Sequence, residues 1–221
     1  MSGRERGERR GVTRRGLLKG AGAAAAAGVI ARPAAALAQH ADDGVEIAGP
    51  GPVHLVLRVN GAAREVEVEP RRTLLDALRG DLDLTGAKRV CDRGTCGACT
   101  IWLDGAPAYA CSVLAIEAVG SEITTIEGLG TPAAPHPMQA AFARRDALQC
   151  GFCTPGFVMA CAWAAETHGA ALDDATLRRS VCGNLCRCGT YPHVVQAALE
   201  GAREMTAARD SGAGDGAKGG R

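Results

Sequence analysis

Residues 91–99 read Cys91-Asp92-Arg93-Gly94-Thr95-Cys96-Gly97-Ala98-Cys99, which puts three cysteines on one short loop. Three thiolates this close in sequence converge on one point only where the backbone turns sharply. Gly94 and Gly97 permit that turn and let amide N–H groups approach the sulfurs. A fourth cysteine, Cys111, follows after eleven intervening residues. C-x4-C-x2-C with a later Cys is a spacing that holds a [2Fe–2S] cluster, whose negative charge such N–H groups stabilise. Cys91, Cys96, Cys99 and Cys111 are therefore expected as one ligand set, with Cys111 returning from a neighbouring strand.

The flanking sequence agrees with a strand-rich setting. Val53–Val59 alternates apolar and polar residues, and 65–69 alternates apolar with acidic. Asn60-Gly61 lies between them, a pair that tolerates the positive φ of a tight hairpin. Thr73 is placed to cap a short helix through Arg79 that ends at Gly80, with Leu74, Leu75 and Leu78 on one face. Further strands are predicted at Thr100–Leu103, 108–113 and 122–126. After Gly128 and a Pro-rich segment at 131–137 the periodicity becomes helical, over 138–147, 155–168, 173–181 and 191–208, a bundle of four short helices.

The second cysteine group lies in that helical half: Cys150 and Cys153 in QCGFCTPG, and Cys186 and Cys188 in GNLCRCGTY. Each pair adjoins a helix end. Two helix starts meeting at one end of a bundle would gather four thiolates and present positive dipole ends to an anionic cluster. Spacing alone leaves zinc open as well, since C-x2-C is common in zinc sites, although C-x-C is an awkward partner pair for a simple ribbon. Cys161 and Cys182 fall outside both sets and are expected as small buried hydrophobes on helices.

Composition bounds the rest. A chain of 221 residues with 47% hydrophobic residues builds two small cores, although aromatics supply only 3%. The ten cysteines are not needed as a dense disulfide framework, and the tight loop favours a shared metal centre. The first 38 residues hold eight Lys or Arg and two Asp or Glu, leaving 17 basic against 22 acidic residues from Gln39 onward. The folded part thus offers no basic patch for nucleic acid. No apolar run is long enough to span a bilayer. Residues 1–38 have the layout of an export signal: a basic start, an apolar stretch at 21–30 and the small-residue site Ala36-Leu37-Ala38. Within them, Thr13-Arg14-Arg15-Gly16-Leu17-Leu18-Lys19 resembles a twin-arginine (Tat) signal, which exports folded proteins and implies a periplasmic destination. The expected organisation is a leader at 1–38, a linker at 39–52, a ferredoxin-like domain at 53–130, a helical domain at 131–208 and a disordered tail at 209–221.

Together CDRGTCGACT, ACSVLA, ITTIEGLG, QCGFCTPGFVMA and GNLCRCGTYPHV, in this order over about residues 53–205, resemble the small iron–sulfur subunit of the xanthine oxidase family of molybdenum hydroxylases. The resemblance implies an α+β chain: a β-grasp domain like plant-type ferredoxins, followed by a four-helix [2Fe–2S] domain. It implies that Cys150, Cys153, Cys186 and Cys188 hold the second cluster, with Gln149 and Cys188 nearest the molybdopterin of a partner subunit. Electrons would run from a molybdenum-binding large subunit through the second and then the first cluster to FAD on a medium subunit, or to an external acceptor. No catalytic residue is expected on this chain, and no G-x-G-x-x-G fingerprint marks a nucleotide site. The leader and the GTY after CRC resemble small subunits of periplasmic aldehyde oxidoreductases and isoquinoline oxidoreductases, which implies oxidation of aldehydes or hydroxylation of N-heterocycles by the complex. A freestanding ferredoxin-like carrier is the rival, disfavoured because a carrier needs only one exposed centre.

Overall fold

The structure, a computed structural model, describes residues 48–213; the leader at 1–38 and most of the linker lie outside the described residues. Strand β1 (Val53–Val59) turns Leu55, Leu57 and Val59 inward and leaves His54, Val56 and Arg58 outside. It pairs antiparallel with β2 (Ala62–Val68) in a register that sets Val59 opposite Ala62, so Asn60 and Gly61, at φ 52° and 77°, form a two-residue hairpin turn. A second turn of the same kind, Asp104-Gly105 at φ 49° and 78°, joins β3 (Thr100–Leu103) to β4 (Ala106–Tyr109). Strand β5 (Glu122–Thr124) runs parallel to β1 and antiparallel to β3, giving the order β2-β1-β5-β3-β4. Helix α1 (Leu74–Asp76) is capped by the Thr73 hydroxyl, which accepts from Asp76 N at 3.2 Å. It and the turn that follows bury Leu74, Leu75 and Leu78 under the sheet, the β-grasp arrangement.

Among the boundaries that differ from expectation, two in the first half have a clear local reason. Helix α1 does not stop at Gly80 but widens into a π turn over Ala77–Asp81. A Cβ at Gly80 would meet the Arg72 guanidinium at 2.9 Å, so the glycine makes room for the pairing of Arg72 with Asp81. The strand expected at 108–113 begins earlier, at the Asp104-Gly105 turn, and ends at Tyr109. A 3-10 turn, Ala110–Ser112, then swings Cys111 inward.

The helical half begins with one turn, α2 (Ile126–Leu129), followed by α3 (Pro137–Arg144), α4 (Thr154–His168), α5 (Asp174–Ser180) and α6 (Tyr191–Ala213). Helix α6 continues to Ala213, into the stretch read as tail. Helix α4 is apolar nearly all round and runs through the centre of the bundle, burying Phe157, Val158, Met159 and Cys161. Sheet and bundle belong to one compact unit from Gly49 onward. Trp102 of β3 sits in the helical core and donates its indole N–H to Met159 O at 3.0 Å. Among the described residues no helix is long and apolar enough to cross a membrane.

Candidate metal centres

The loop at 91–99 reverses direction through positive φ at Asp92 (55°), Gly94 (71°) and Gly97 (67°). That path aims two amides at sulfur: Gly94 N–H at Cys111 Sγ (3.3 Å) and Thr95 N–H at Cys91 Sγ (3.4 Å). Cys111 arrives on its 3-10 turn, with Ala110 N–H bonded to Cys99 O at 3.3 Å. The thiols adjoin one another in series: Cys96 lies beside Cys91, and Cys99 beside both Cys111 and Cys96. Burial and the adjacent Cys111 thiol push Cys99 up to about 12, and burial with Cys91 beside it raises Cys96. At Cys91 burial is outweighed by the Thr95 hydroxyl and by the backbone of Arg93 and Thr95, so its thiol falls to about 6.

The second set is built at helix starts. Cys153 is the residue before the first turn of α4, and Gly151 at φ 76° folds Cys150 back beside it. Cys186 and Cys188 occupy the turn between α5 and α6, and Gly189 at φ 80° leads into α6. Here too the thiols adjoin one another: Cys153 lies beside Cys186 and Cys150, and Cys188 beside Cys150 and Cys186. Burial and then Cys186 push Cys153 up to about 12. At Cys186 burial is overcome by the Thr190 hydroxyl and backbone, and the thiol drops to about 7. The backbone at Cys150 draws Cys188 down, but the Cys150 thiol and burial prevail and raise it.

Each set gathers four thiols at one site, the number that a [2Fe–2S] cluster takes. None of the ten cysteines is joined in a disulfide.

The two loops touch directly. Leu185 N–H donates to Cys96 O at 2.9 Å, one residue from Cys186. Asn184, 5% exposed, donates to Gly97 O (2.9 Å) and Thr100 Oγ1 (3.2 Å). A Cβ on Gly97 would stand 2.6 Å from that Asn184 amide, and one on Gly156 or Gly183 would collide with Gly97 O or the Tyr109 hydroxyl. Between the sets lies a hollow of about 400 Å³ walled by Cys96, Cys153, Cys186, Val90, Phe152 and Leu185, the last three of them exposed. Gln149 is exposed beside Cys150.

Of the two remaining cysteines, Cys161 is fully buried on α4 and burial raises its pKa, as expected for a core residue. Cys182 departs from expectation: it is exposed in the turn after α5, next to Tyr109. Sequence reasoning also passed over the hydroxyls around the sulfurs. Thr190 Oγ1 lies 3.2 Å from Cys186 Sγ, Ser112 Oγ lies 3.7 Å from Cys111 Sγ, and Tyr191 OH accepts from Cys186 N at 2.8 Å. The GTY after CRC was the available signal.

Residues 57–120 match the family described as 2Fe-2S iron-sulfur cluster binding domain, and residues 125–199 match the [2Fe-2S] binding domain. The chain is 42% identical over 210 residues to the aldehyde oxidoreductase iron-sulfur-binding subunit PaoA of Escherichia coli O157:H7, covering 88% of this chain and 90% of PaoA. It is 43% identical over 146 residues to the 6-hydroxypseudooxynicotine dehydrogenase complex subunit beta of Paenarthrobacter nicotinovorans, covering 66% of this chain and 91% of that subunit. Among solved structures, quinoline 2-oxidoreductase from Pseudomonas putida 86 superposes with a TM-score of 0.66 at 40% identity, over 72% of this chain and 97% of the matched chain.

Proposed function

The chain belongs to the iron–sulfur subunits of the xanthine oxidase family of molybdenum hydroxylases, and from that premise we propose a directional relay between a molybdenum-bearing large subunit and an electron acceptor. Cys150, Cys153, Cys186 and Cys188 hold the inner [2Fe–2S] cluster, and Cys91, Cys96, Cys99 and Cys111 hold the outer one. The clusters supply the redox chemistry, taking up and returning one electron at a time. What the chain supplies is position. Gly94 and Thr95 amides offset charge at the outer sulfurs, and the bond from Leu185 N–H to Cys96 O ties one ligand loop to the other. That bond carries the proposal, because it gives the two centres a continuous covalent and hydrogen-bonded connection.

Gln149 and Cys188, exposed at the inner set, face the molybdopterin of the large subunit. The neighbouring exposed apolar side chains Phe152, Leu185 and Val90 belong under that partner rather than in water. The outer set delivers electrons to FAD on a medium subunit or to an external acceptor. Aldehyde oxidation is the reaction best supported, through the likeness to PaoA over most of both chains. Hydroxylation of an N-heterocycle is the second reading, supported by the likeness to quinoline 2-oxidoreductase.

Purification of the full complex tests the relay. Four irons per chain, two distinct rhombic EPR signals on dithionite reduction and a co-purifying molybdenum subunit are expected. A stable monomer with both clusters and no large partner would instead establish a freestanding carrier. The leader at 1–38 carries the folded, loaded chain to the periplasm by the Tat route. Replacing Arg14 and Arg15 by Lys together strands it in the cytoplasm, as fractionation with immunoblotting would reveal; undiminished periplasmic delivery refutes the assignment.

A further inference from the structure

Thr190 and Cys186 are both nearly buried, at 7% and 9% exposure, and their side-chain O and S atoms lie 3.2 Å apart. Thr190 immediately precedes α6, a position where a threonine hydroxyl ordinarily accepts from a first-turn amide. Here its hydrogen-bond partner is sulfur, while its carbonyl accepts from Val194 N at 3.0 Å to begin the helix. The next residue grips the same cysteine from the other side, since the Tyr191 hydroxyl accepts the Cys186 amide. In the outer set the hydroxyls beside sulfur are exposed rather than buried: Thr95 adjoins Cys91, and Ser112 Oγ stands 3.7 Å from Cys111 Sγ.

Resting on the ligand assignment above, we infer that the Thr190 hydroxyl donates to the Cys186 sulfur and sets the reduction potential of the inner centre above the value its four thiolates alone would give. Donor and acceptor follow from the chemistry, because a sulfur bound to iron has no proton to give and can only accept. Reduction adds one negative charge to the centre, so a fixed donor on a ligand sulfur favours the reduced state, and burial strengthens the effect. Thr190 is in this sense a positioning residue, acting through Cys186. Raising the inner centre favours its uptake of electrons from the large subunit.

The test is an EPR-monitored redox titration of the assembled complex, with dithionite as one-electron source and Cys186→Ser identifying which signal belongs to the inner centre. Thr190→Val keeps the shape and removes the hydroxyl. It should lower the inner midpoint by up to a tenfold change in the reduction equilibrium, about 59 mV for one electron. Thr190→Ala should shift it the same way, Thr190→Ser should restore the wild-type value, and the outer midpoint should not move in any variant. An unmoved inner midpoint in loaded Val and Ala variants overturns the inference, as does an equal shift of both centres. The wild type offers a check that needs no hydroxyl-free variant. Electron–nuclear double resonance of the reduced inner centre should show a coupled proton that exchanges in deuterated solvent, and its absence overturns the inference as well. Failure of the ligand assignment is distinguishable, since the wild type would then lack the second EPR signal altogether.

Discussion

Asn184 joins the two ligand loops through its side-chain amide, and the chemistry of its acceptors decides which substitutions it tolerates. Gly97 O also accepts from the Thr100 hydroxyl at 2.7 Å, so Asn184→Ala removes two buried hydrogen bonds but leaves those two groups satisfying each other. A cost of about 1–2 kcal/mol follows. Asn184→Asp is the harsher change although it is closer in shape, because it turns a donor into a charge facing two oxygens. An unpaired buried charge costs roughly 3–5 kcal/mol. Thermal bleaching of the visible cluster absorbance should rank wild type above Ala and Ala above Asp; the reverse order of the variants would show that the amide's donor role is unimportant. Nothing in the spacing of the cysteines foretold this contact. Gly97 was legible as a turn glycine, but the residue that fills the space where its Cβ would be lies 87 positions away.

At the scale of elements, α3 shows how a cap can carry a pH dependence. His136 Nδ1 accepts from Met138 N at 3.2 Å, and Gln139 Oε1 reaches back to His136 N at 2.9 Å. Burial lowers the His136 pKa, which keeps the acceptor nitrogen unprotonated. A depressed pKa stabilises the fold in full above the ordinary histidine value of about 6.5, and that contribution is lost as pH falls from there through the lowered value. Unfolding midpoints should therefore decline as pH falls below about 6.5, and His136→Asn, which retains a capping acceptor, should flatten that decline. An unchanged pH profile in the variant would remove His136 from the account. Periodicity located this helix but began it at 138, one residue after Pro137, because a histidine is not among the usual capping residues. Alternation likewise placed β1 correctly and carried β4 too far. The apolar residues around Cys111 continue a strand pattern, while the chain itself leaves the sheet to turn the thiol inward.

For the whole molecule the decisive contact is glycine against backbone. Gly156, in the first turn of α4, lies so close to Gly97 and Ala98 that a Cβ there would collide with them. Gly156→Ala must push the central helix away from the outer ligand loop, at a cost of about 1–3 kcal/mol for overpacking. It should also weaken the magnetic coupling between the reduced centres, which EPR line splitting reads; unaltered splitting would mean that the seam absorbs the methyl without separating. The order of domains, sheet first and bundle second, was evident from periodicity. Their interlock was not, because it depends on atoms that are missing from glycine rather than on side chains that are present. Trp102 extends the same interlock. Its indole belongs to a strand made early in synthesis, yet it is covered by Met159 and its neighbours, which emerge later. A nascent chain halted at the domain boundary near residue 130 would therefore display a bare tryptophan on an otherwise finished sheet. Until the ribosome delivers α4, that face of the sheet has no cover.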